Sequence, residues 1–153
     1  MSRPSEGQWA CALARETAKR STCLRRHVGA VLLDRLGHVI ATGYNGAPVN
    51  EDHCTTCLRE ELGVPQGTMY EICRSVHAEA NAVIQARPWA SDGTLYLATI
   101  DPKTGEVVEN WPCSMCARLL VNAGVREVSM LRPDGSIATD TPHTFLGVVR
   151  RGE

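Results

Sequence analysis

The sequence predicts an α/β fold in which a mixed central sheet lies between helices, giving three layers in the order α/β/α. Two observations predict it: β-branched apolar runs of strand length, and segments between them with helical periodicity. Along the chain these segments follow the order helix, strand, strand, helix, strand, helix, strand. Such an order is typical of a sheet that carries helices on its faces.

The first half of the chain contains one predicted helix and one predicted strand pair. Residues 5–8, Ser-Glu-Gly-Gln, have the form of a capping box and predict a helix over 6–19. The apolar run 28–33 and the segment 38–44 flank turn residues, which predicts two neighbouring strands. The segment 45–72 has no sustained period and is rich in Gly, Pro, Cys and charge. The order of this segment therefore depends on something other than a hydrophobic core, and a bound metal ion could stabilise it.

The second half alternates helices with strands and is divided as follows: helix 77–85, strand 94–100, turn 101–105, helix 113–122, strand 125–131, and 137–150 without an assigned element. In the first of these helices Ala80, Val83 and Ile84 are expected to face inward. Pro112 suits the first position of the second helix, where its missing N–H costs nothing, and Gly124 suits its end.

Composition indicates one domain over residues 1–153, with an insert around 45–73. Hydrophobic residues make up 43% and charged residues 22%, and no apolar run approaches the roughly 20 residues that span a bilayer. The first residues lack the apolar stretch of a secretory signal, so we expect a cytoplasmic protein. With 16 Lys+Arg against 17 Asp+Glu and no dense basic run, a small-molecule substrate is favoured over nucleic acid or membrane.

Three residues supply the ligands of a predicted catalytic zinc site. His77 opens the sequence His-Ala-Glu, and Cys113 and Cys116 belong to Pro-Cys-Ser-Met-Cys. A catalytic zinc takes three protein ligands and keeps its fourth position for water. The two cysteines lie three residues apart at a predicted helix N-terminus, where the exposed N–H groups favour thiolates.

Glu79 is the predicted proton carrier of this site. Residues two apart on a helix do not face each other, so Glu79 is badly placed to share a metal with His77. Near the helix start it can still reach a water at the metal. The competing interpretation is a structural zinc or a redox Cys-x-x-Cys with a surface glutamate. Two separate motifs on two helix starts disfavour that interpretation.

The chain resembles the deoxycytidylate (dCMP) deaminase branch of the zinc-dependent cytidine deaminase family over residues 20 to about 128. His-x-Glu followed by Pro-Cys-x-x-Cys is the pattern of zinc-dependent nucleobase deaminases. Further segments that carry the resemblance are RSTC at 20–23, VGAV at 28–31, TGYNGAP at 42–48, CLREELG at 57–63 and HAEANA at 77–82. The resemblance implies a cytidine deaminase-like fold, bound Zn²⁺ and hydrolysis of dCMP to dUMP with release of ammonia.

The resemblance also implies substrate contacts. Asn45 would contact the nucleotide sugar, the Ala78 backbone would contact the base, and Arg25 or Arg26 would contact the phosphate. Alternatives stay open: Asn45 could have a purely structural role in a Gly-rich turn that ends a strand, and the arginines could be solvated surface charges. Trp111 could stack on a base or belong to the core.

The resemblance implies a second, structural zinc that would stabilise the insert 45–73. Its ligands would be the remaining clustered cysteines, Cys23, Cys54, Cys57 and Cys73, and His53 could replace one of them. The alternative is a set of scattered buried thiols. Cys11 fits neither zinc site and is expected to pack in the core. Family members commonly form homo-oligomers, including hexamers, so a homo-oligomer is expected here.

Departures from the family pattern leave other substrates open. The segment 98–111 is longer than usual and could form a hairpin over the site, and the chain lacks the Tyr and Arg that dCMP-specific members carry after the strand ending near Leu131. Alternative substrates are CMP, a modified cytosine, or a free guanine or adenine compound. Alternative functions are deamination of adenosine in tRNA and a zinc-stabilised binding protein without catalysis.

Three histidines have no metal partner at useful spacing and are expected to be surface or core residues: His27, His38 and His143.

Overall fold

The computed structural model describes residues 2–147. Its α-helices are α1 (Glu6–Ala18), α2 (Leu58–Glu61), α3 (Ala78–Ala86) and α4 (Ser114–Asn122). Its strands are β1 (His27–Leu33), β2 (Val39–Tyr44), β3 (Thr94–Ile100), β4 (Val107–Val108), β5 (Glu127–Leu131) and β6 (Ile137–Asp140). Short 3₁₀ turns lie at Tyr70–Ile72, Arg87–Ala90 and Pro142–Phe145. Within the described residues no helix is long and apolar enough to cross a membrane.

The strands form one mixed sheet in the order β2-β1-β3-β5-β6. β3 and β5 run parallel, whereas β1 pairs antiparallel with both β2 and β3, and β6 pairs antiparallel with β5. β4 pairs with the end of β3, where Thr99 lies opposite Val108. The predicted turn at 101–105 therefore closes a hairpin within the long segment 98–111.

Side chains that alternate along β1 define the two faces of the sheet. Ala30 and Leu32 belong to the core that α3 and α4 cover, whereas Val31 and Leu33 belong to the core under α1. Because successive residues of a strand point to opposite faces, the helices lie on both sides of the sheet. Cys11 is buried in the core under α1, as the sequence predicted.

The capping box at the start of α1 is confirmed. The Gln8 backbone N–H donates to Ser5 Oγ at 3.1 Å, and the Ser5 N–H donates to Gln8 Oε1 at 2.8 Å. These two bonds satisfy donors that the first turn of a helix leaves free. The helix ends at Ala18, one residue before the predicted end.

The predicted inward face of α3 is wrong for Ile84, whereas Val83 packs against the core as predicted. Ile84 is 65% exposed, and the buried residues of this helix are Ala78, Glu79, Ala82 and Ala86. Small residues lie inward because α3 passes so close to β2 that a Cβ at Gly43 would stand 2.3 Å from the Ala78 carbonyl oxygen. The short distance between α3 and β2 therefore leaves room only for small side chains where the helix meets the strand.

The start of α4 differs by one residue from the prediction. Cys113 is the N-cap, so Pro112 precedes the cap instead of occupying the first helical position. The N-cap side chain accepts a hydrogen bond from a backbone N–H, and the Cys113 sulfur takes this role for Cys116. Gly124, with φ +81°, follows the end of the helix as predicted.

The insert, residues 45–73, contains only α2 and one 3₁₀ turn as regular structure. Val64 is its only hydrophobic residue in the core, so apolar burial contributes little to its order. Beyond β5, β6 and a 3₁₀ turn occupy part of the region 137–150, where the sequence assigned no element; residues 148–150 lie outside the described residues.

Candidate metal centre and substrate pocket

The N-termini of α3 and α4 bring three predicted ligands together. His77 precedes α3, Cys113 caps α4, and Cys116 lies in its first turn. One ligand atom from each residue lies within 4.8 Å of the other two, and within residues 2–147 this is the one such group of three or more His, Cys, Asp or Glu side chains. The His77 Nδ1 atom lies 3.6 Å from Cys113 Sγ and 3.4 Å from Cys116 Sγ.

These separations fit a tetrahedral zinc ion. With Zn–N near 2.05 Å and Zn–S near 2.3 Å, tetrahedral coordination places nitrogen and sulfur about 3.6 Å apart. The observed 3.4 Å and 3.6 Å are therefore the spacing that zinc requires, without any change of rotamer. One imidazole and two thiols are also a donor set that suits zinc.

The two thiols of this group differ in acidity. A hydrogen bond from Cys116 lowers the pKa of the Cys113 thiol to about 4, and His77 lowers it further. The same hydrogen bond, together with burial, raises the pKa of Cys116. Zinc binding would require both thiols to give up their protons, because the thiolate is the form that binds metal.

Glu79 lies in the first turn of α3, and its side chain is only 5% exposed. Burial raises the pKa of its carboxyl group, and the positive charge of His77 opposes that shift. Glu79 lines the same pocket as His77 and Cys113. A buried carboxyl group whose pKa is raised is suited to accept and return a proton during a reaction.

Asn45 lines this pocket, but most of its side chain is already hydrogen-bonded. Its Oδ1 accepts from the Ser21 hydroxyl at 2.6 Å and from the Val28 N–H at 2.9 Å. Its Nδ2 donates to the Arg26 carbonyl oxygen at 2.8 Å, which leaves one amide hydrogen for a ligand. Asn45 therefore fixes the start of β1 beside the pocket, a role that the sequence did not indicate.

Ala78 and Trp111, for which the sequence predicted contacts with the substrate, both line the pocket. Ala78 is the first residue of α3, so its backbone N–H has no acceptor within the helix and can bind a ligand. The Trp111 ring stacks on Phe145 with centroids 4.8 Å apart and an interplanar angle of 20°. One face of Trp111 is thus covered by the C-terminal 3₁₀ turn, and its ring also packs against the core.

Arg25 and Arg26 both line the pocket, but their surroundings differ. Arg26 Nη1 donates to the Arg25 carbonyl oxygen at 2.7 Å and lies 3.6 Å from the Asp101 carboxylate. Arg25 Nη2 donates to the Val64 carbonyl oxygen at 3.4 Å, whereas its Nη1 is buried with no hydrogen-bond partner. The guanidinium of Arg25 is therefore the one of this pair with a free buried donor.

Arg59 and Tyr70 are among the pocket residues that sequence reasoning missed. Arg59 is 5% exposed, and its guanidinium lies 4.5 Å from the centre of the Tyr70 ring. The Tyr70 ring in turn meets the His77 ring edge-on, with centroids 4.6 Å apart. Both residues lie in the insert, where no periodicity singles out inward positions, so the sequence offered no signal beyond the Cys-Leu-Arg-Glu-Glu segment itself.

The structure does not bring the four remaining clustered cysteines into one ligand group within residues 2–147. It does bring their chain segments near one another, because Thr22 Oγ1 and His53 Nδ1 lie 3.0 Å apart and adjoin Cys23 and Cys54. Cys23 and Cys73 also line the same pocket. All four cysteines are free and partly exposed thiols.

Comparison with known proteins identifies the family. Residues 4–132 match the model of the cytidine and deoxycytidylate deaminase zinc-binding region. The chain is 38% identical over 135 residues to the deoxycytidylate deaminase of Mycobacterium phage D29, a match that covers 84% of this chain and 95% of that protein. It is 34% identical over 130 residues to the deoxycytidylate deaminase of Schizosaccharomyces pombe, covering 82% of this chain but 37% of that longer protein.

Solved structures confirm the predicted fold class. The apo dCMP deaminase of cyanophage S-TIM5 superposes with a TM-score of 0.61 at 21% identity, covering 86% of both chains. A cytidine deaminase from Burkholderia pseudomallei gives 0.60 at 15% identity, covering 96% of this chain and 98% of that one. The cofactor is Zn²⁺, as the matched zinc-binding region and the His/Cys/Cys group both indicate. The chain belongs to the zinc-dependent cytidine and deoxycytidylate deaminase family.

Proposed function

We propose that this chain hydrolyses dCMP to dUMP and ammonia. The observation that carries the proposal is a zinc-spaced His77, Cys113 and Cys116 group whose pocket also contains a buried carboxyl group and several arginines. The similar phage D29 protein is named a deoxycytidylate deaminase, and the cyanophage S-TIM5 enzyme has been crystallised with dCMP and dUMP. A base, a sugar and a phosphate each find matching donors in this one pocket.

Zinc held by His77, Cys113 and Cys116 supplies Lewis-acid activation of water. Glu79 accepts a proton from the attacking water and delivers it to N3 of the cytosine ring. A second proton then passes through Glu79 to the amine on C4, which leaves as ammonia. The Ala78 N–H and the remaining amide hydrogen of Asn45 orient the base and the sugar.

The direct test measures ammonia release and dUMP formation by the zinc-loaded protein. The panel contains dCMP, CMP, deoxycytidine, cytosine, modified cytosines, adenine and guanine compounds, and a tRNA. We expect dCMP to give the highest kcat/KM. Preferred turnover of any other compound would contradict dCMP as the substrate, and no turnover with bound zinc would contradict catalysis.

Glu79→Gln tests the proton carrier. The variant should lose about 10²- to 10⁴-fold in kcat, since that is the usual contribution of general acid–base catalysis. Its zinc content should stay at the wild-type value, because Glu79 is not a ligand. Glu71→Gln, which changes an exposed glutamate on the insert, is the matched control and should retain activity.

A second zinc is proposed for Cys23, Cys54, Cys57 and Cys73, with His53 able to replace one of them. Support comes from the convergence of their chain segments and from an insert that buries little apolar surface. Such a zinc would order the insert within the single domain predicted for the chain. Metal analysis should find two zinc ions per chain, and Cys54→Ser should reduce this to one; one zinc in the wild type would contradict the proposal.

The chain is also proposed to form a homo-oligomer, and its cytoplasmic location stays a prediction. Ile84, Met115 and Leu119 are exposed apolar residues on α3 and α4, at 65%, 45% and 48% exposure, which supports an interface on this side. Light scattering after size-exclusion chromatography should give a mass above that of one chain. A monomer at micromolar concentration would contradict the proposal.

A further inference from the structure

We propose that Phe145 is a positioning residue for the deamination, because it holds the indole ring of Trp111 in the pocket wall against which the base packs. This inference rests on the proposed function and extends the site to the C-terminal 3₁₀ turn. The two rings stack with centroids 4.8 Å apart and an interplanar angle of 20°. Trp111 lines the pocket that contains His77 and Glu79, whereas Phe145 does not. Phe145 therefore acts on the substrate through Trp111.

The backbone that carries Phe145 is anchored on the sheet and on α4. Asp140 ends β6, and its Oδ1 accepts from the Thr141 N–H at 2.7 Å and from the Thr144 hydroxyl at 2.8 Å. The Pro142 side chain is fully buried, and the turn packs against α4. A side chain positions another one well only when its own support is rigid, and this turn meets that condition.

The backbone around Trp111 is fixed on both sides, so its side chain is the part that needs support. The Asn110 N–H donates to the Met130 sulfur at 3.0 Å, and Cys113, two residues after Trp111, caps α4. The indole ring itself is partly buried and packs against the core under α3 and α4. Phe145 covers one face of the ring and so limits the rotation that the core contact leaves free.

The base is the part of the substrate that this ring suits. Nucleobases stack on aromatic side chains or meet them edge to face. Within residues 2–147 the pocket is lined by two aromatic side chains besides the zinc ligand His77, namely Tyr70 and Trp111. Tyr70 already contacts Arg59 and His77. Trp111 is therefore the aromatic side chain that is available to the base, and it lies two residues before a zinc ligand, where the amine must react.

Binding of dUMP to zinc-loaded protein and kinetics with dCMP test the inference. An aromatic pair favours its own geometry by a factor of about 2 to 12. Loss of the pair lowers the fraction of molecules with a correctly placed Trp111, so Phe145→Leu should raise the Kd of dUMP and the KM of dCMP by about 2- to 12-fold. Its kcat and zinc content should match the wild type. Normal KM with reduced kcat or zinc would mean that Phe145 only supports Cys113, and would overturn the inference.

A double-mutant cycle tests whether Phe145 acts through Trp111. In a Trp111→Leu background, Phe145→Leu should cause no further loss of dUMP affinity, because no indole ring is left to position. Equal losses in both backgrounds would overturn the inference. Phe145→Tyr keeps the stack and should restore wild-type affinity. His143→Gln, which changes an exposed residue of the same turn, is the matched control and should bind dUMP as the wild type does.

The fluorescence of Trp111 reports contact with the base directly. The chain has three tryptophans, so Trp111 is the one that remains after Trp9→Phe and Trp89→Phe. These two residues are 40% and 75% exposed and lie outside the pocket. Saturating dUMP should quench the remaining emission, whereas inorganic phosphate should not. Unchanged emission with dUMP would overturn the inference.

If Phe145→Leu does not fold, Phe145→Met, which also removes the ring, carries the same comparison. Unchanged dUMP affinity in these variants would overturn the inference while leaving dCMP deamination intact. A wild type whose dUMP affinity depends on Phe145 but which does not deaminate dCMP would contradict the proposed function alone.

Discussion

Gly43 sets the distance between β2 and α3, and Gly43→Ala therefore tests whether that distance controls the site. A Cβ at this position would lie 2.3 Å from the Ala78 carbonyl oxygen and 2.7 Å from the Ala82 nitrogen. Both are helix backbone atoms, which cannot rotate away as a side chain can. Ordinary contact begins near 3.4 Å, so α3 must move outward by about 1 Å.

This movement affects the groups at the start of α3. His77 and Glu79 would shift relative to Cys113, which lies on α4. A misplacement of about 1 Å can cost about 100-fold in rate, and overpacking of this kind costs about 1–3 kcal/mol in stability. We therefore expect Gly43→Ala to lose about 100-fold in kcat/KM for dCMP per folded molecule.

Gly29→Ala is the matched control for this experiment. Its added Cβ would lie 1.9 Å from the Ala14 carbonyl oxygen, so it displaces α1 on the other face of the sheet. No residue of α1 lines the substrate pocket. Both variants should lower the thermal unfolding temperature, but Gly29→Ala should retain more activity per folded, zinc-loaded molecule. Wild-type kcat/KM in Gly43→Ala, or equal losses in the two variants, would refute the reasoning.

Three further predictions concern the first helix, its buried thiol and the metal. Ser5→Ala should lower the free energy of unfolding by about 1 kcal/mol through loss of the capping box, and an unchanged urea midpoint would count against that role. Burial raises the pKa of Cys11 to about 11, so iodoacetamide at pH 8 should leave it unmodified in folded protein, as peptide mass spectrometry would show. Zinc removal by a chelator should abolish ammonia release and lower the unfolding temperature, with recovery on zinc addition; an unchanged unfolding temperature would contradict a stabilising metal.

The sequence was sufficient to predict those helices and strands whose own residues include a capping motif, a terminating residue or a clear hydrophobic period. The capping box fixed the start of α1, and the β-branched run 94–100 matches β3 at both ends. The predicted zinc ligands also came together, since His77 and Cys113 each lie directly before the first residue of a helix. The prediction placed them on separate helix starts, and the sheet brings those starts to one place.

Errors arose where tertiary contact decided the outcome. Ile84 was expected to face inward by size, but the close approach of α3 to Gly43 admits only small residues on that face. Arg59 was not singled out because it lies in a segment without periodicity, where burial depends on what the segment packs against. The residue types of this segment do not show which part of the protein it packs against. Counting its apolar positions could therefore not have identified Arg59 as a buried residue.

The insert is organised around the pocket more than around a core of its own. Its most buried charged residue, Arg59, lies on the Tyr70 ring, and that ring contacts His77, a proposed zinc ligand. The carbonyl oxygen of Val64, its one core hydrophobic residue, binds Arg25. Arg25 also has the Glu60 carboxylate 3.7 Å from its Nε, so a second residue of the insert contacts this pocket side chain. The insert therefore forms one wall of the pocket through polar and aromatic contacts, because Val64 is the one hydrophobic residue that it contributes to the core.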